Sequence, residues 1–531
     1  MNENWETLKE HINEFPQYKS ALFEMGFLFT DAKISLTNEF PFYDNWKQKN
    51  VINKYTLFVH QHQKSYVFES NQTAYFLIGH AYDPFSYEYD ENIILQNIAE
   101  VSKGSFLDAI DAINDLSGLF VFGIANQNGV TFCGDFESMY TAYYGNINGN
   151  LYIGSHEEMI AHFEELHFDP YVKRLEKYRW YYLYGEGLPG DISHYHELKK
   201  LICDTFVAYD GLIFSVKRFH PLKPLYMCAD ENDYQKTVIQ IADIMKSNLE
   251  LIAKKWNVAA VSVTGGRDSK GSLAAAAHLG NKLKYFSYNS QFAEKIDCDA
   301  AKVLCDAVGV KHTTYDIPLG KEIYPEYDLV KAILCVNSNR KKFNHNDIMK
   351  RIFFRNNHDF DVEIKSWTSE IGRAYYYQKF GVKHIQKKCS ARKVNVMNNI
   401  YLFNPVLMYQ TDAIYRRFLK ETQYNEHMFN YDWSDIIELE MRDSRWGADV
   451  ITCEHMFAYD VTIPYNNRHL GDLFLRTPFE YRLSDKTHID FTNILCPEID
   501  GAKINIRDLA HNKKRMWMDR IYYFFSSVRV L

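Results

Sequence analysis

Between residues 256 and 317 the sequence alternates short apolar runs with helical stretches, and this alternation limits the fold more than any other feature. VAAVSV (258–263), KLKYFSYNS (282–290) and HTTYDI (312–317) read as strands. SKGSLAAAAHL (269–279), closed by Gly280, and DAAKVLCDAV (299–308) read as helices. Strands and helices alternating at this spacing predict a parallel sheet with helices on both faces. A helix precedes them in DYQKTVIQIADIMKSNLELIAKKW (233–256), where Val238, Ile241, Ile244, Leu249 and Ile252 recur every three to four residues.

The first 225 residues have a different texture. FLFT, YTLFVH, YFLIGHAY, LFVFGIA, VTFCGD, LYIGS, FVAYD and LIFSVKRF are short strand-like runs separated by turn signals such as NQNGV, GNINGN and YDG. Helical patterns interrupt them near 92–116 and 156–186. HPLKPLYMCADENDY (220–234), with two prolines and an acidic cluster, reads as a linker. The predicted organisation is therefore two domains, α+β over 1–225 and α/β over 226–531, with a mainly helical remainder after about residue 325. A chain of 531 residues exceeds the usual size of one core.

In open α/β sheets, ligands bind beyond the carboxyl ends of the strands. There the sequence places Thr264-Gly265-Gly266-Arg267-Asp268-Ser269. Side-chain-free Gly265 and Gly266 let an anion approach the backbone, Thr264 and Ser269 add hydroxyl donors, and the helix start adds its positive end. Asp268 is a poor neighbour for phosphate alone, but it makes sense if Mg²⁺ bridges carboxylate and phosphate oxygens. Arg267 and Lys270 are further candidates for neutralising charge. The competing reading is a ligand-free tight turn, for which Gly-Gly alone would suffice.

Composition narrows the partners. The chain has 60 Lys and Arg against 68 Asp and Glu, a net charge of −8, which supplies no broad basic field for nucleic acid. Nine cysteines without a CxxC pair predict reduced thiols rather than a disulfide framework or zinc site. No signal-peptide pattern opens the chain and no run reaches about 18 apolar residues, so integral membrane association is not expected and a cytoplasmic protein is. RMWMDRIYYFFSSVRVL at the end reads as a docked core helix in preference to a membrane-surface one.

TGGRDS resembles the SGGxDS pyrophosphate loop of the asparagine synthetase superfamily, and further segments are similar in the same order. SGLFVFGIANQNGVTFCGDFESMYTAYYG (from Ser117) and LYIGSHEEMI (from Leu151) resemble its glutaminase domain. DCDAAKVLCDAVGVKH, DVEIKSWTSEIGRAYY and TIPYNNRHLGDLFLRTP resemble parts of its synthetase domain. The resemblance implies an N-terminal antiparallel glutaminase-like (Ntn-hydrolase-like) domain and a C-terminal adenine nucleotide alpha-hydrolase-like domain. It implies an ATP- and Mg²⁺-dependent ligase that forms an acyl-adenylate and then an amide. The layout is closer to β-lactam synthetase and lasso-peptide cyclases, because residue 2 is Asn and the first cysteine is Cys133, so glutamine hydrolysis is not expected.

By the same resemblance, Thr264, Gly265, Gly266, Asp268 and Ser269 would bind ATP, with adenine at Phe286 and Ser287. The family's second metal-binding Asp falls on Ser369, leaving Glu370 to hold Mg²⁺ with Asp268; a helix-start acid is the alternative for Glu370. Lys486 and Lys503 are both candidates for the late catalytic lysine, and neither is preferred. The substrates implied are a small-molecule, peptide or glycan carboxylate and an amine, with the oligomeric state open and a homodimer among the options. Two alternatives remain: a pyrophosphate-loop enzyme modifying a tRNA base, and a catalytically inactive nucleotide-binding relative.

Overall fold

In the computed structural model, residues 2–181, 187–340, 342–385, 388–399, 401–502, 504 and 513–528 are described. Two six-stranded antiparallel sheets form from the first half of the chain. One runs β10-β8-β9-β1-β3-β2, with β1 (Phe27–Thr30), β2 (Trp46–Val51), β3 (Tyr55–His60), β8 (Tyr143–Ile147), β9 (Asn150–Gly154) and β10 (Lys199–Lys200). The other runs β12-β11-β7-β6-β5-β4, with β4 (Ser65–Ser70), β5 (Thr73–Tyr82), β6 (Ser117–Asn126), β7 (Gly129–Gly134), β11 (Thr205–Tyr209) and β12 (Phe214–Arg218).

The alternation along β5 shows how these sheets stack. Phe76 and Ile78 belong to the core shared with the first sheet, where the Phe76 ring lies 4.9 Å from that of Phe29. Tyr75 and Leu77 point the other way, into a cluster with Ile94, Ile98 and Ile110 from helices Glu91–Ser102 and Phe106–Asn114. Period-2 apolar residues thus bury both faces, one against a sheet and one against helices.

A five-stranded, all-parallel sheet follows, ordered β15-β14-β13-β16-β17. Its strands β13 (Ala259–Ser262), β14 (Lys284–Asn289) and β15 (His312–Asp316) match the three runs read from sequence. The helices Glu231–Lys255, Arg267–Ala277 and Phe292–Ala307 surround them. The third begins seven residues before the predicted Asp299, at Phe292. β16 (Val362–Ile364) and β17 (Asp460–Thr462) lie in the stretch expected to be helical. Each has three residues, too few for any period to register.

The segment between β17 and the helix Arg468–Leu475 ties the sheets together. Asn466 Nδ2 donates to the Gly118 carbonyl at 2.7 Å and to Asp135 Oδ1 at 2.9 Å, and Asn467 Nδ2 donates to the Asp115 carbonyl at 2.8 Å. One continuous buried core contains side chains from all three sheets. The helix Lys513–Val528 docks through Tyr522, which is buried, while Trp517, Phe524 and Phe525 stay exposed. Among the described residues, no helix is long and apolar enough to cross a membrane.

His220 lies at the same junction. Its Nδ1 is 3.1 Å from Asp204 Oδ1 and its Nε2 is 3.1 Å from Asp472 Oδ1. Burial opposes its charge, but Asp472 and Asp204 prevail and raise its pKa to about 9. An unfolded histidine titrates near about 6.5. The stabilisation is thus complete below that pH and is lost as pH rises through 9. The unfolding temperature of the protein should therefore fall between pH 6.5 and 9, and His220→Gln should flatten that part of the profile. Parallel wild-type and variant profiles in thermal melts would contradict this.

Candidate functional site

The TGGRDS turn lies at the carboxyl end of β13, the central strand of the parallel sheet. Val263 N–H still belongs to the ladder, donating to the Phe286 carbonyl at 2.8 Å. Beyond it the chain turns, and Gly266 caps the helix Arg267–Ala277 with φ −69° and ψ 161°. Gly266 is therefore not in a left-handed conformation, and its use is closeness: it lines the cavity described below, and a Cβ would come 3.3 Å from Thr264 Oγ1. The turn's own hydroxyls satisfy two of its N–H groups. Thr264 N–H donates to Ser269 Oγ at 2.7 Å, and Gly266 N–H to Thr264 Oγ1 at 3.3 Å.

The third N–H, on Gly265, donates at 3.1 Å to Asp297 Oδ1 from the neighbouring helix. Burial pushes the Asp297 carboxyl upward, and that bond works against it. A carboxylate thus sits where the backbone presents a donor to an anion. Asp297 belongs to the cavity wall.

The cavity holds about 240 Å³, and Thr264, Gly266, Asp268, Ser269 and Ser287 are part of its wall. Phe286 is not: its ring packs on Phe360 at 5.1 Å and its carbonyl serves the sheet, so of the adenine pair only Ser287 faces the space. Ser287 Oγ is 3.0 Å from His312 Nε2. Glu294 completes part of the wall, as do Tyr288, Glu363 and Lys365, which were not picked out from sequence. The signal for Lys365 is its position, directly after β16, at the strand end where a parallel sheet binds ligands. Glu363 is fully buried; burial works upward on its carboxyl, but Lys365 and His455 hold it down.

Asp268 is surrounded. Ser369 Oγ donates to its Oδ1, and Arg373 Nη1 stands 3.4 Å from both of its oxygens. Arg373 also reaches Asp485 Oδ1 through Nε at 3.0 Å, and His488 Nε2 is 3.2 Å from Ser369 Oγ. The turn carrying Ser369 and Arg373 lies between two residues of positive φ, Thr368 at 75° and Ala374 at 50°. A β-branched residue in that region is costly, by about 1–3 kcal/mol, and such strain gathers at functional turns.

Glu370, on the same turn, has its Oε1 3.9 Å from Arg442 Nη2, while its Oε2 is buried without a hydrogen-bond partner. Burial and then the charge of Asp268 push its carboxyl upward. Two carboxylates that repel each other, one with an orphaned oxygen, fit a hard divalent cation. Behind them lie Glu137, Glu438 and Asp443, all buried, with Arg442 3.2 Å from Glu438 and 2.9 Å from Asp443. Burial first, and then Arg442 opposed by Glu370, leave the Asp443 carboxyl raised to about 7. Neither Glu137 oxygen has a hydrogen-bond partner.

Several candidate residues sit elsewhere. Arg267 pairs with Asp500 at 3.7 Å and Lys270 Nζ donates to the Ile504 carbonyl, so both turn to the C-terminal segment rather than to phosphate. Lys486 Nζ is held by Asp490 and lies 4.6 Å from the ring centres of Tyr234 and Tyr481, none of which lines the cavity. Lys503 lies outside the described residues.

No family model matches the chain, and no curated protein does. Among solved structures, it is similar to glutamine phosphoribosylpyrophosphate amidotransferase from B. subtilis complexed with ADP and GMP. The identity is 9%, the coverage 51% of this chain and 60% of the other, and the TM-score 0.22. A second neighbour, described as the allosteric regulatory enzyme of purine biosynthesis, shows 9% identity, coverage of 50% and 59%, and a TM-score of 0.23. The chain thus spans about three fifths of each neighbour's length. Likeness at this level carries no argument, and the asparagine synthetase resemblance rests on the motifs alone.

Proposed function

We propose that the chain is an ATP-dependent ligase that adenylates a carboxylate and joins it to an amine, without hydrolysing glutamine. The observation that carries this reading is the Thr264–Ser269 turn at the carboxyl end of the central parallel strand, opening on a cavity with Asp268 at its edge. In the first step a substrate carboxylate oxygen attacks the α-phosphorus of ATP and pyrophosphate leaves. In the second, the amine nitrogen attacks the acyl carbon, AMP leaves and the nitrogen gives up a proton.

The turn's backbone and hydroxyl donors would grip the leaving pyrophosphate, with the Asp297 carboxylate giving up Gly265 N–H to a phosphate oxygen. Mg²⁺ held by Asp268 and Glu370 would offset charge on the phosphates. Ser287 and Tyr288, both in the cavity wall, would take the base. The buried acids Glu137, Glu438 and Asp443 beside Glu370 favour an amine that arrives as a cation and gives up that first proton before its nitrogen attacks.

This reading takes 1–225 as the glutaminase-like, Ntn-hydrolase-like domain, supported by its two stacked antiparallel sheets with helices outside. It takes 226–531 as the adenine nucleotide alpha-hydrolase-like domain, supported by the parallel order β15-β14-β13-β16-β17. Small-molecule, peptide or glycan substrates and a cytoplasmic setting belong to the same proposal. One observation favours the inactive relative instead: Ser369 and Arg373 already occupy Asp268.

Pyrophosphate release from ATP and Mg²⁺, measured across pools of carboxylates and amines, tests the proposal. Release that requires a carboxylate is the expected result. ATP binding without release from any pool would favour the inactive relative, and absence of ATP binding would overturn the nucleotide site itself.

A further inference from the structure

A second cavity, of about 560 Å³, opens between the antiparallel sheets and the parallel one. Glu24, His62, Lys64, Arg355, Asp361 and Asp460 are part of its lining. At its edge Glu24, His60 and His62 each offer one ligand atom, and the three atoms lie within 4.8 Å of one another. His62 Nδ1 is 2.5 Å from Glu24 Oε1, and His60 Nδ1 is 3.5 Å from the same oxygen.

Local structure brings the three together. His60 ends β3, His62 follows two residues later, and Glu24 precedes β1, whose Phe27 pairs with Val59. The N–H groups of Met25 and His62 both donate to His60 Nδ1 at 3.3 Å, so that nitrogen is unprotonated and an ion would take its lone pair in their place. Arg355 Nη2 lies 3.0 Å from Glu24 Oε2, orienting the carboxylate so that Oε1 faces the histidines. Glu24 is 4% exposed and His60 fully buried, whereas His62 opens to the cavity.

We propose that Glu24, His60 and His62 form a binding site for a zinc-class divalent ion, with a fourth position facing the cavity. Two imidazoles and a carboxylate are a donor set that zinc takes, at bonds of about 2.0–2.2 Å. A tetrahedron of that size sets its ligand atoms about 3.3 Å apart, so the Glu24–His60 spacing already fits and His62 needs only a small outward shift. The site is separate from the Asp268 cavity and does not depend on the ligase reading.

The test is titration of the full-length protein with Zn²⁺ by calorimetry, and with Co²⁺ followed by visible absorption, which reports a four-coordinate ion. The wild type should bind one equivalent and show the Co²⁺ bands. His62→Ala, at a half-exposed position, should keep the wild-type circular dichroism spectrum and should weaken binding by at least the 10–100-fold that losing an outer partner costs, roughly. Glu24→Gln should act in the same direction. A folded wild type that binds neither ion, or a His62→Ala variant with unchanged affinity and bands, would overturn the site.

Discussion

Asp268→Ala should lower carboxylate-dependent pyrophosphate release by about 10²–10³-fold, the size of effect seen when one preorganised electrostatic group is removed. The unfolding temperature should change little. Arg373 keeps its second partner, Asp485, and Ser369 keeps His488, so no buried charge is stranded. Asp268→Asn preserves shape and removes charge. If Asp268 and Glu370 share Mg²⁺, this variant should also need more Mg²⁺ for half-maximal release. Steady-state pyrophosphate assays across a Mg²⁺ series read both effects. Unchanged release in both variants would remove Asp268 from the chemistry.

The largest effect on stability should come from Arg218. Its Nη1 donates to Glu440 Oε1 at 2.5 Å, and neither side chain is exposed to solvent. Arg218 also holds the Thr422 carbonyl through Nε at 3.2 Å and lies 4.8 Å from the Tyr424 ring. Arg218→Met would strand the Glu440 carboxylate, at a cost of about 3–5 kcal/mol. The double variant Arg218→Met/Glu440→Leu should recover most of that loss, because it leaves no charge behind.

The pH dependence adds a check on the same pair. Burial already raises the Glu440 carboxyl to about 7 even with Arg218 beside it. An acid raised in the folded state favours the fold at low pH, so Arg218→Met should lose less stability at pH 5 than at pH 8. Denaturant melts of the three proteins at both pH values measure this. A single variant as stable as the wild type at pH 8 would show that the pair contributes nothing.

Much of the parallel sheet was legible because its signals are local. β13 carries an apolar run, β14 and β15 are marked by Tyr, Phe and Thr, which favour strands, and the helix Glu231–Lys255 repeats its apolar residues over 25 positions. β2, WKQKNV, escaped because it is a polar edge strand, buried only at Val51. β16 and β17 escaped because three residues between long connections carry no pattern; their partners across the sheet make them strands.

The candidate site divides in the same way. A strand, two glycines and a helix start within a dozen residues determine by themselves that backbone donors meet at the end of a strand, since sterics and unpaired N–H groups act over a few residues. The partners of the side chains in that turn were decided only by the tertiary structure. Ser369 reaches Asp268 across 101 residues, Ile504 takes Lys270 across 234, and Asp297 takes Gly265 across 32. Glu137 likewise joins Glu438 and Asp443 from a distant segment, and Glu24 joins the His60–His62 pair across 38 residues. Periodicity and turn chemistry act between neighbours in the chain, whereas burial and charge pairing act between neighbours in space. The second kind exists only once the three sheets have closed on one another.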